Sequence, residues 1–338
     1  MVFDQGITIS GVGHHLPENW EDNETLCRSL DITPEWIIEK TGIQRRYIAA
    51  SGDSASSYAI SAARRALAMA AAPASEIDLI IVCTFSGDYI FPPVSAKVQL
   101  EIGATNAQIF DLQANCTGFV TGLTTASDRM RVDPSVRNAL VIGVELCSRY
   151  IDRKDLNTAI YLSDGAGAAV LSRSAPEHGI KASAFHTDSS NFEAVRMRGG
   201  GSSHGMIGRA YDPQIDHMEM NGIATWKQAI THMPTVIKKA CAKSGVNLAD
   251  VDFMIFHQAN YNLIEYIVRK MRLEMIKTYT NVREIGNTGA ASLAIALSEA
   301  VEKKLLKNGQ TVLLAAVGAG FNFGASLWTW YMPSAEVD

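Results

Sequence analysis

The chain has 338 residues, of which 47% are hydrophobic and 19% charged, so it can bury a large core and is not intrinsically disordered. Its formal net charge of −5 argues against a nucleic-acid-binding protein, because such proteins usually carry a basic excess. No apolar run approaches the roughly 20 residues needed to span a bilayer, which argues against a membrane protein.

Strand-like apolar runs alternate with helical patterns along the chain, which predicts an α/β fold. In chain order, the predicted elements of the first half are strand 7–12, helix 55–72, strand 78–83, strand 107–112, helix 119–126 and strand 138–143. The run at 78–83 is almost continuously apolar, as expected of a strand buried on both faces.

The second half repeats features of the first. In the first half, a predicted helix precedes the apolar strand that begins at Asp78. The same pattern precedes Asp252 in the second half, an offset of 252 − 78 = 174 residues. The strand that begins at Asn138 recurs at Gln310, an offset of 310 − 138 = 172 residues. These nearly equal offsets predict a duplicated domain, with residues 1–174 as the first half and 175–338 as the second.

Cys116 lies where a predicted strand turns into a helix, next to the small residues Thr117 and Gly118. A thiol at a helix N-terminus lies in the positive end of the helix dipole, which favours the nucleophilic thiolate. We therefore predict that Cys116 is a catalytic nucleophile. Four other cysteines lie within predicted helices or strands and are interpreted as structural: Cys27, Cys83, Cys147 and Cys241.

Two residues of the second half fit as partners of this thiol. His257 ends an apolar strand, where a side chain can project into a cleft, and Asn287 lies between two small residues before an Ala-rich helix. Either residue alone has a structural interpretation, a packed histidine or a helix N-cap. Pseudo-twofold symmetry of the duplication would bring both to Cys116, and we predict an acyl-enzyme site.

Two glycine-rich segments leave alternatives open. Residues 317–324 follow the last long apolar strand, and their backbone N–H groups could hold an oxyanion or form a tight hairpin, or both. Residues 196–205 form a loop of the second half, either a mobile flap over the site or a surface excursion, and we favour the excursion.

The odd number of cysteines, without metal-ligand spacing, predicts a reduced cytoplasmic protein without a bound metal. The residues at the N-terminus, Met1–Gln5, show no signal peptide. We predict no cofactor.

Ordered motifs along almost the whole chain resemble β-ketoacyl-acyl-carrier-protein synthase III of the thiolase superfamily. They are Trp36 with Lys40–Ile43, Phe91–Pro92, Asn115–Phe119, Ser163–Ala169, His257–Asn260, Gly286–Ser292 and Gly318–Phe321. The resemblance implies a thiolase-like duplicated αβαβα fold of five layers, usually a homodimer. It also implies decarboxylative Claisen condensation of an acyl thioester with malonyl-acyl carrier protein.

The same resemblance implies the roles of single residues. Cys116 would carry the acyl group, and His257 and Asn287 would bind the malonyl thioester carbonyl. The N–H groups of Cys116 and Ala319 would form the oxyanion hole. Phe91 would reach across the dimer to line the acyl pocket of the partner.

The acyl donor and its carrier would meet Trp36, Lys40, Lys227, Arg269 and Lys270 by the same resemblance. For the last three, an ordinary solvated helix face is an equal alternative. Family members often place arginines around coenzyme A where this chain has Lys40, Leu156 and Asn262. We therefore expect weaker coenzyme A recognition and an acyl donor that arrives on a carrier protein.

The segment Ser86–Ile90 is more polar than an acetyl pocket requires. It could admit a polar or dicarboxylic acyl group, with Ser86 in the acyl pocket, or be a surface loop. Two rival functions remain: an acyltransferase that passes the acyl group to a hydroxyl or amine, and a non-catalytic subunit of a condensing heterodimer. Retention of Asn287 argues against the first, and the complete set of Cys116, His257 and Asn287 against the second.

Overall fold

The computed structural model describes residues 5–333. Its strands are β1 (Gly6–His15), β2 (Trp20–Asp22), β3 (Arg45–Tyr47), β4 (Leu79–Cys83), β5 (Gln108–Leu112), β6 (Asn138–Leu146), β7 (Asp164–Ser174), β8 (Gly179–Thr187), β9 (Val195–Met197), β10 (Met218–Met220), β11 (Phe253–Phe256), β12 (Thr278–Tyr279), β13 (Thr311–Gly318) and β14 (Asn322–Thr329). Its α-helices are α1 (Asn23–Cys27), α2 (Pro34–Thr41), α3 (Ala55–Met69), α4 (Val94–Ile102), α5 (Gly118–Val132), α6 (Gly222–Ser244), α7 (Tyr261–Lys270), α8 (Val282–Ile285) and α9 (Ala291–Glu302). Each strand and helix predicted from the sequence is present, with changed ends.

Ten strands are hydrogen-bonded in the order β12-β11-β13-β14-β8-β1-β7-β6-β4-β5. The order is the same in both halves when each is followed from its outer edge to the middle, where β1 meets β8 at Ile7 and Gly179. Thus β4 corresponds to β11 and β6 to β13, as the sequence offsets predicted. The predicted division at residues 174 and 175 lies in the turn between β7 and β8 and stays a prediction.

Three helix layers enclose and separate the two five-stranded halves. One core cluster joins α5 and α9 to strands of both halves, so these two helices lie in the middle. Helices α3 and α4 cover the outer face of the first half, and α6 and α7 cover that of the second. This is the five-layer thiolase-like arrangement that the resemblance implies.

The burial of the strands follows from this layering. All five residues of β4 are buried, because helices cover both of its faces. Helix α5 packs closely on β4, since a Cβ added at Gly122 would lie 2.8 Å from the sulfur of Cys83. Cys83 is therefore a packing residue, as predicted.

Local signals set the ends of two outer helices. The side chain of Ser54 accepts a hydrogen bond from the backbone of Ser57 and begins α3 with a capping box. Gly245 ends α6 with a φ of 73°, a left-handed conformation that glycine adopts without steric cost. None of the helices within residues 5–333 combines the length and the apolar character needed to cross a bilayer.

Candidate active site

Cys116 lies in a tight turn between β5 and α5. Residues Asn115–Thr117 form one 3-10 turn, and Gly118 then begins α5. The backbone of Asn115 is left-handed with a φ of 49°, a conformation that Asn tolerates better than most residues. The predicted strand, turn and helix are confirmed, and the turn directs the thiol into a cavity.

This cavity has a volume of about 1090 Å³ and brings together Cys116, His257 and Asn287. The loop Gly318–Phe321 also lines it. The three side chains come from two halves of the chain and from the ends of separate elements, as the duplication predicted. The remaining wall is largely apolar and includes Phe85, Cys147, Leu162, Phe192, Met197, Met206, Met218, Met220, Trp226 and Leu263.

His257 follows β11, and the residue is 4% exposed. Its Nδ1 lies 2.5 Å from Oγ of Ser292, and that same Oγ accepts a hydrogen bond from the backbone N–H of Gln258 at 3.2 Å. No other acceptor among the described residues lies within hydrogen-bonding distance of the Ser292 hydroxyl. Since a buried hydroxyl normally donates, Ser292 donates to Nδ1, and the ring carries its proton on Nε2.

Burial lowers the pKa of His257 to about 3, so the imidazole is neutral at physiological pH. A neutral ring with its proton on Nε2 is a hydrogen-bond donor toward the cavity. It can bind a carbonyl oxygen without acting as a base.

Asn287 is fixed by backbone pairing with the segment before β7. Its N–H donates to the carbonyl of Tyr161, and its own carbonyl accepts from the N–H of Ser163. Its Oδ1 accepts a hydrogen bond from the N–H of Gly289 at 3.0 Å. The side-chain Nδ2 has no partner among the described residues and is left to donate to a ligand.

The loop after β13 packs directly on the Cys116 turn. Nδ2 of Asn115 donates to the carbonyl oxygen of Ala319 at 3.1 Å. A Cβ added at Gly318 would lie 3.1 Å from the backbone N of Cys116. The hairpin is confirmed, because β13 and β14 pair antiparallel up to Gly318 and Asn322. The predicted oxyanion donors of Cys116 and Ala319 both line the cavity.

The surroundings of Cys116 also affect its ionisation. Burial, and secondly the carboxyl group of Glu145, raise the pKa of the thiol to about 12. Burial therefore opposes the helix N-terminus, which favours the thiolate, and the effect of the helix on this thiol stays a prediction.

Glu145, which the sequence analysis missed, is fully buried behind this cavity. It accepts hydrogen bonds from the hydroxyls of Thr84 and Ser86 and from the backbone N–H of Phe85. Burial raises its pKa to about 8 despite these donors. Glu145 directly follows Val144 in the apolar sequence of β6. This was a visible signal of a buried, partnered acid, since acidic residues rarely lie unpaired in a core.

Ser86, which the sequence analysis assigned to the acyl pocket, belongs to this network and lines a smaller neighbouring cavity, so its place in an acyl pocket stays a prediction. Its hydroxyl donates to Glu145 and accepts from the backbone N–H of Leu146 at 3.0 Å, so it does not line the Cys116 cavity. Its neighbours Phe85 and Gly87 line that cavity instead. Ser86 turns toward Glu145 because a buried acid needs hydrogen-bond donors, and Thr84 and Phe85 supply the others.

Phe91 is 82% exposed and does not line the cavity of its own chain. The two residues before it, Tyr89 and Ile90, are also exposed, at 67% and 79%, and both line the cavity. These three consecutive residues form the exposed apolar patch. The role of Phe91 in a partner's pocket stays a prediction.

The residues expected to meet the donor or its carrier lie outside the cavity wall. Trp36 is 36% exposed, and Nζ of Lys40 lies 6.0 Å from its ring centroid. Leu156 packs on an apolar cluster under α2, and Asn262 donates to the carbonyl of Glu39, so neither presents a cation.

The three other basic residues lie on the surface of α6 and α7. Lys227 is exposed and follows Trp226, which lines the cavity. Arg269 pairs with Glu265 at 2.8 Å, and Lys270 donates to the carbonyl of Ile230. Their contact with a carrier protein stays a prediction.

The segment after β8 covers the cavity, which corrects its interpretation as a surface excursion. Strands β9 and β10 pair antiparallel, and Glu219 of β10 binds Arg196 of β9. Residues Gly199, Gly200 and Met206 of the connecting loop line the cavity. Its polar and glycine-rich composition suggested a solvated loop, but Met197 and Met206 line the cavity while keeping part of their surface exposed.

Comparison with known proteins places these features in context. A family model described as 3-oxoacyl-[acyl-carrier-protein] synthase III matches residues 110–189, and a model of its C-terminal part matches residues 241–330. Over 326 residues the chain is 38% identical to a β-ketoacyl-[acyl-carrier-protein] synthase III of Rhodospirillum centenum, covering 95% of this chain and 98% of the relative. A second such relative, from Bordetella petrii, is 39% identical over 324 residues, with 94% and 96% covered.

Solved structures agree with this match. The structure of 3-oxoacyl-[acyl-carrier-protein] synthase III from Aquifex aeolicus superimposes with a TM-score of 0.89 at 32% identity, covering 96% of this chain and all of the other. The priming β-ketosynthase of the R1128 polyketide pathway gives a TM-score of 0.91 at 28% identity, with 98% and 99% covered.

Proposed function

The chain belongs to the β-ketoacyl-acyl-carrier-protein synthase III family, and we propose that it catalyses decarboxylative condensation of an acyl thioester with malonyl-acyl carrier protein. The convergence of Cys116, His257 and Asn287 on one cavity carries this proposal. Cys116 follows β5, His257 follows β11 and Asn287 follows α8, yet all three line the same cavity.

In the first half-reaction the sulfur of Cys116 attacks the carbonyl carbon of the acyl donor. The backbone N–H groups of Cys116 and Ala319 stabilise the oxyanion that forms. The bond to the donor's sulfur then breaks, and the donor leaves as a thiol carrying the proton that Cys116 gave up. Because the pKa of Cys116 is raised, this proton is lost only as the reaction proceeds.

In the second half-reaction the malonyl thioester carbonyl accepts hydrogen bonds from Nε2–H of His257 and Nδ2–H of Asn287. These donors stabilise the enolate that remains when CO2 leaves. The enolate carbon attacks the acyl carbonyl carbon, a carbon–carbon bond forms, the bond to the sulfur of Cys116 breaks, and the departing thiolate takes a proton from water. Neither side chain has to accept a proton, which fits a histidine held neutral by burial.

The macromolecular partners belong to the same proposal. A carrier protein would bring malonyl groups to the basic residues Lys227, Arg269 and Lys270 on the surface of α6 and α7. Leu156 and Asn262 stand where family members often have arginines around coenzyme A. Their lack of charge favours an acyl donor delivered by a carrier protein over acyl-coenzyme A. The exposed apolar patch would bind a second copy of the chain. The protein would act in the cytoplasm, where its carrier proteins are.

Two measurements test the proposal. Intact mass after incubation with acyl thioesters should show one acyl adduct, which Cys116→Ala abolishes. Release of labelled CO2 from malonyl-acyl carrier protein should require that adduct. An adduct that moves to a hydroxyl or amine without CO2 release would favour simple acyl transfer, and a chain without any adduct would be a non-catalytic subunit.

A further inference from the structure

A second, smaller cavity of about 250 Å³ adjoins the Cys116 cavity. Gly87, Asp88, Tyr89 and Tyr150 line both of them, so only one layer of residues separates the two spaces. At about 30 Å³ for each water molecule in the liquid, the smaller cavity has room for several non-hydrogen atoms. An acyl group that extends past Tyr150 would end there.

The groups that face this second cavity include hydrogen-bond donors without partners. Neither the hydroxyl of Tyr150 nor the ammonium of Lys97 makes a hydrogen bond or ion pair with any residue from 5 to 333. Arg149 uses only Nη2, which donates to the carbonyls of Ala50 and Asp53. Its Nε and Nη1 have no partner in the described part of the chain.

The two carboxylates that line the second cavity are already hydrogen-bonded. Asp88 accepts from the backbone N–H of Ser56, in the first turn of α3, at 2.9 Å. Asp53 accepts from the N–H of Ala50 at 2.8 Å and from the hydroxyl of Tyr58 at 2.7 Å. The donors without a partner are therefore the cations of Lys97 and Arg149 and the phenol of Tyr150. Groups of these kinds bind a carboxylate.

We propose that the second cavity binds the distal carboxylate of a dicarboxylic acyl group whose thioester end reacts with Cys116. This inference rests on the proposed function, because it needs an acyl-enzyme. Lys97 and Arg149 supply the charge, and Tyr150, at the boundary between the cavities, supplies a neutral donor. The reaction at Cys116 is unchanged, since the distal carboxylate only selects the donor.

The test measures acylation of Cys116 by mass spectrometry with two matched series of acyl carrier protein thioesters. One series carries straight-chain monocarboxylic acyl groups and the other the dicarboxylic groups of equal carbon number, from four to eight carbons. At one chain length the dicarboxylic donor should react roughly tenfold faster or more, as expected for one charge-assisted hydrogen bond. Lys97→Gln and Tyr150→Phe should each lower the ratio of the two rates.

Lys154→Gln is the matched control, because Lys154 is an exposed cation outside both cavities and should leave the ratio unchanged. Equal rates for both series at every length would overturn the proposal, as would a preference that neither Lys97→Gln nor Tyr150→Phe reduces. Adducts with the monocarboxylic series alone would refute only this inference. Absence of adducts with all donors would refute the proposed function itself.

Discussion

For His257 and Asn287, one neighbouring hydrogen bond each decides which side-chain atom is left to face the cavity. The hydroxyl of Ser292 donates a hydrogen bond to Nδ1 of His257, and the N–H of Gly289 donates one to Oδ1 of Asn287. Both side chains are thereby left with N–H groups toward the cavity. A histidine of the opposite tautomer would present a lone pair and could not stabilise an enolate oxygen.

Ser292→Ala should therefore slow condensation without removing any group that touches substrate. We expect a loss of CO2 release of at least roughly tenfold, below the roughly 100- to 1000-fold typical of deleting a whole oxyanion donor. Ring nitrogen NMR should show a mixture of His257 tautomers in the variant and one tautomer in the wild type. Ser292→Thr, which keeps the hydroxyl, should restore both readings; an unchanged tautomer in Ser292→Ala would refute the assignment.

The raised pKa of Cys116 predicts a specific pH dependence of its alkylation. Because the thiol stays protonated below a pKa of about 12, the rate with iodoacetamide should rise about tenfold per pH unit from pH 7 to 9. Glu145→Gln removes a carboxyl group that disfavours the thiolate, so its profile should shift to lower pH. A rate that is already constant at neutral pH would show that the helix N-terminus dominates after all.

Glu145 also predicts how stability depends on pH. Its pKa is raised from 4.5 to about 8 in the folded protein, so the folded state keeps a proton that the unfolded state has lost. The free energy of unfolding should then fall as the pH rises from about 4.5 to about 8. Denaturant titrations at several pH values measure this decline, and Glu145→Gln should flatten it. An equal decline in wild type and variant would assign it to other groups.

At the scale of elements, two tight turns meet at the nucleophile. The turn at Asn115–Thr117 and the hairpin between β13 and β14 touch through Asn115 and Ala319. Both turns were predictable, because local apolar patterns and glycines mark their strands. Their contact was not, since it depends on how α5 and the second half pack against each other.

Gly318→Ala tests this contact. The added Cβ would lie 2.9 Å from the backbone N of Thr117 and 3.0 Å from the carbonyl oxygen of Ala114, so one turn must move. We expect acylation of Cys116 to fall roughly 100-fold or more, as when an oxyanion donor is lost. Gly52→Ala is the control, because no atom lies within 4 Å of its added Cβ. Normal acylation by a folded Gly318→Ala protein would mean that the hairpin does not position the oxyanion donors.

At the scale of the whole molecule, duplication explains why chemistry far apart in the sequence meets in one cavity. Equivalent strand ends of the two halves face each other across α5 and α9, which brings Cys116 toward His257 and Asn287. The repeat offsets made this predictable. The second cavity was not, because Asp53, Lys97 and Arg149 come from separate loops and helices with no shared periodicity.

The exposed apolar patch predicts that the chain functions as a dimer. The consecutive residues Tyr89, Ile90 and Phe91 are each at least 67% exposed, and contiguous exposed apolar residues mark interaction sites. Ile90→Asp should convert a dimer to a monomer in sedimentation velocity, because a buried unpaired carboxylate would destabilise the interface.

If Phe91 also completes the partner's acyl pocket, acylation of Cys116 should fall with dimer content. Ile276→Asp, at an 84% exposed isoleucine outside the patch, should stay dimeric and active. A wild-type chain that sediments as a monomer while retaining full acylation would show that each cavity works alone.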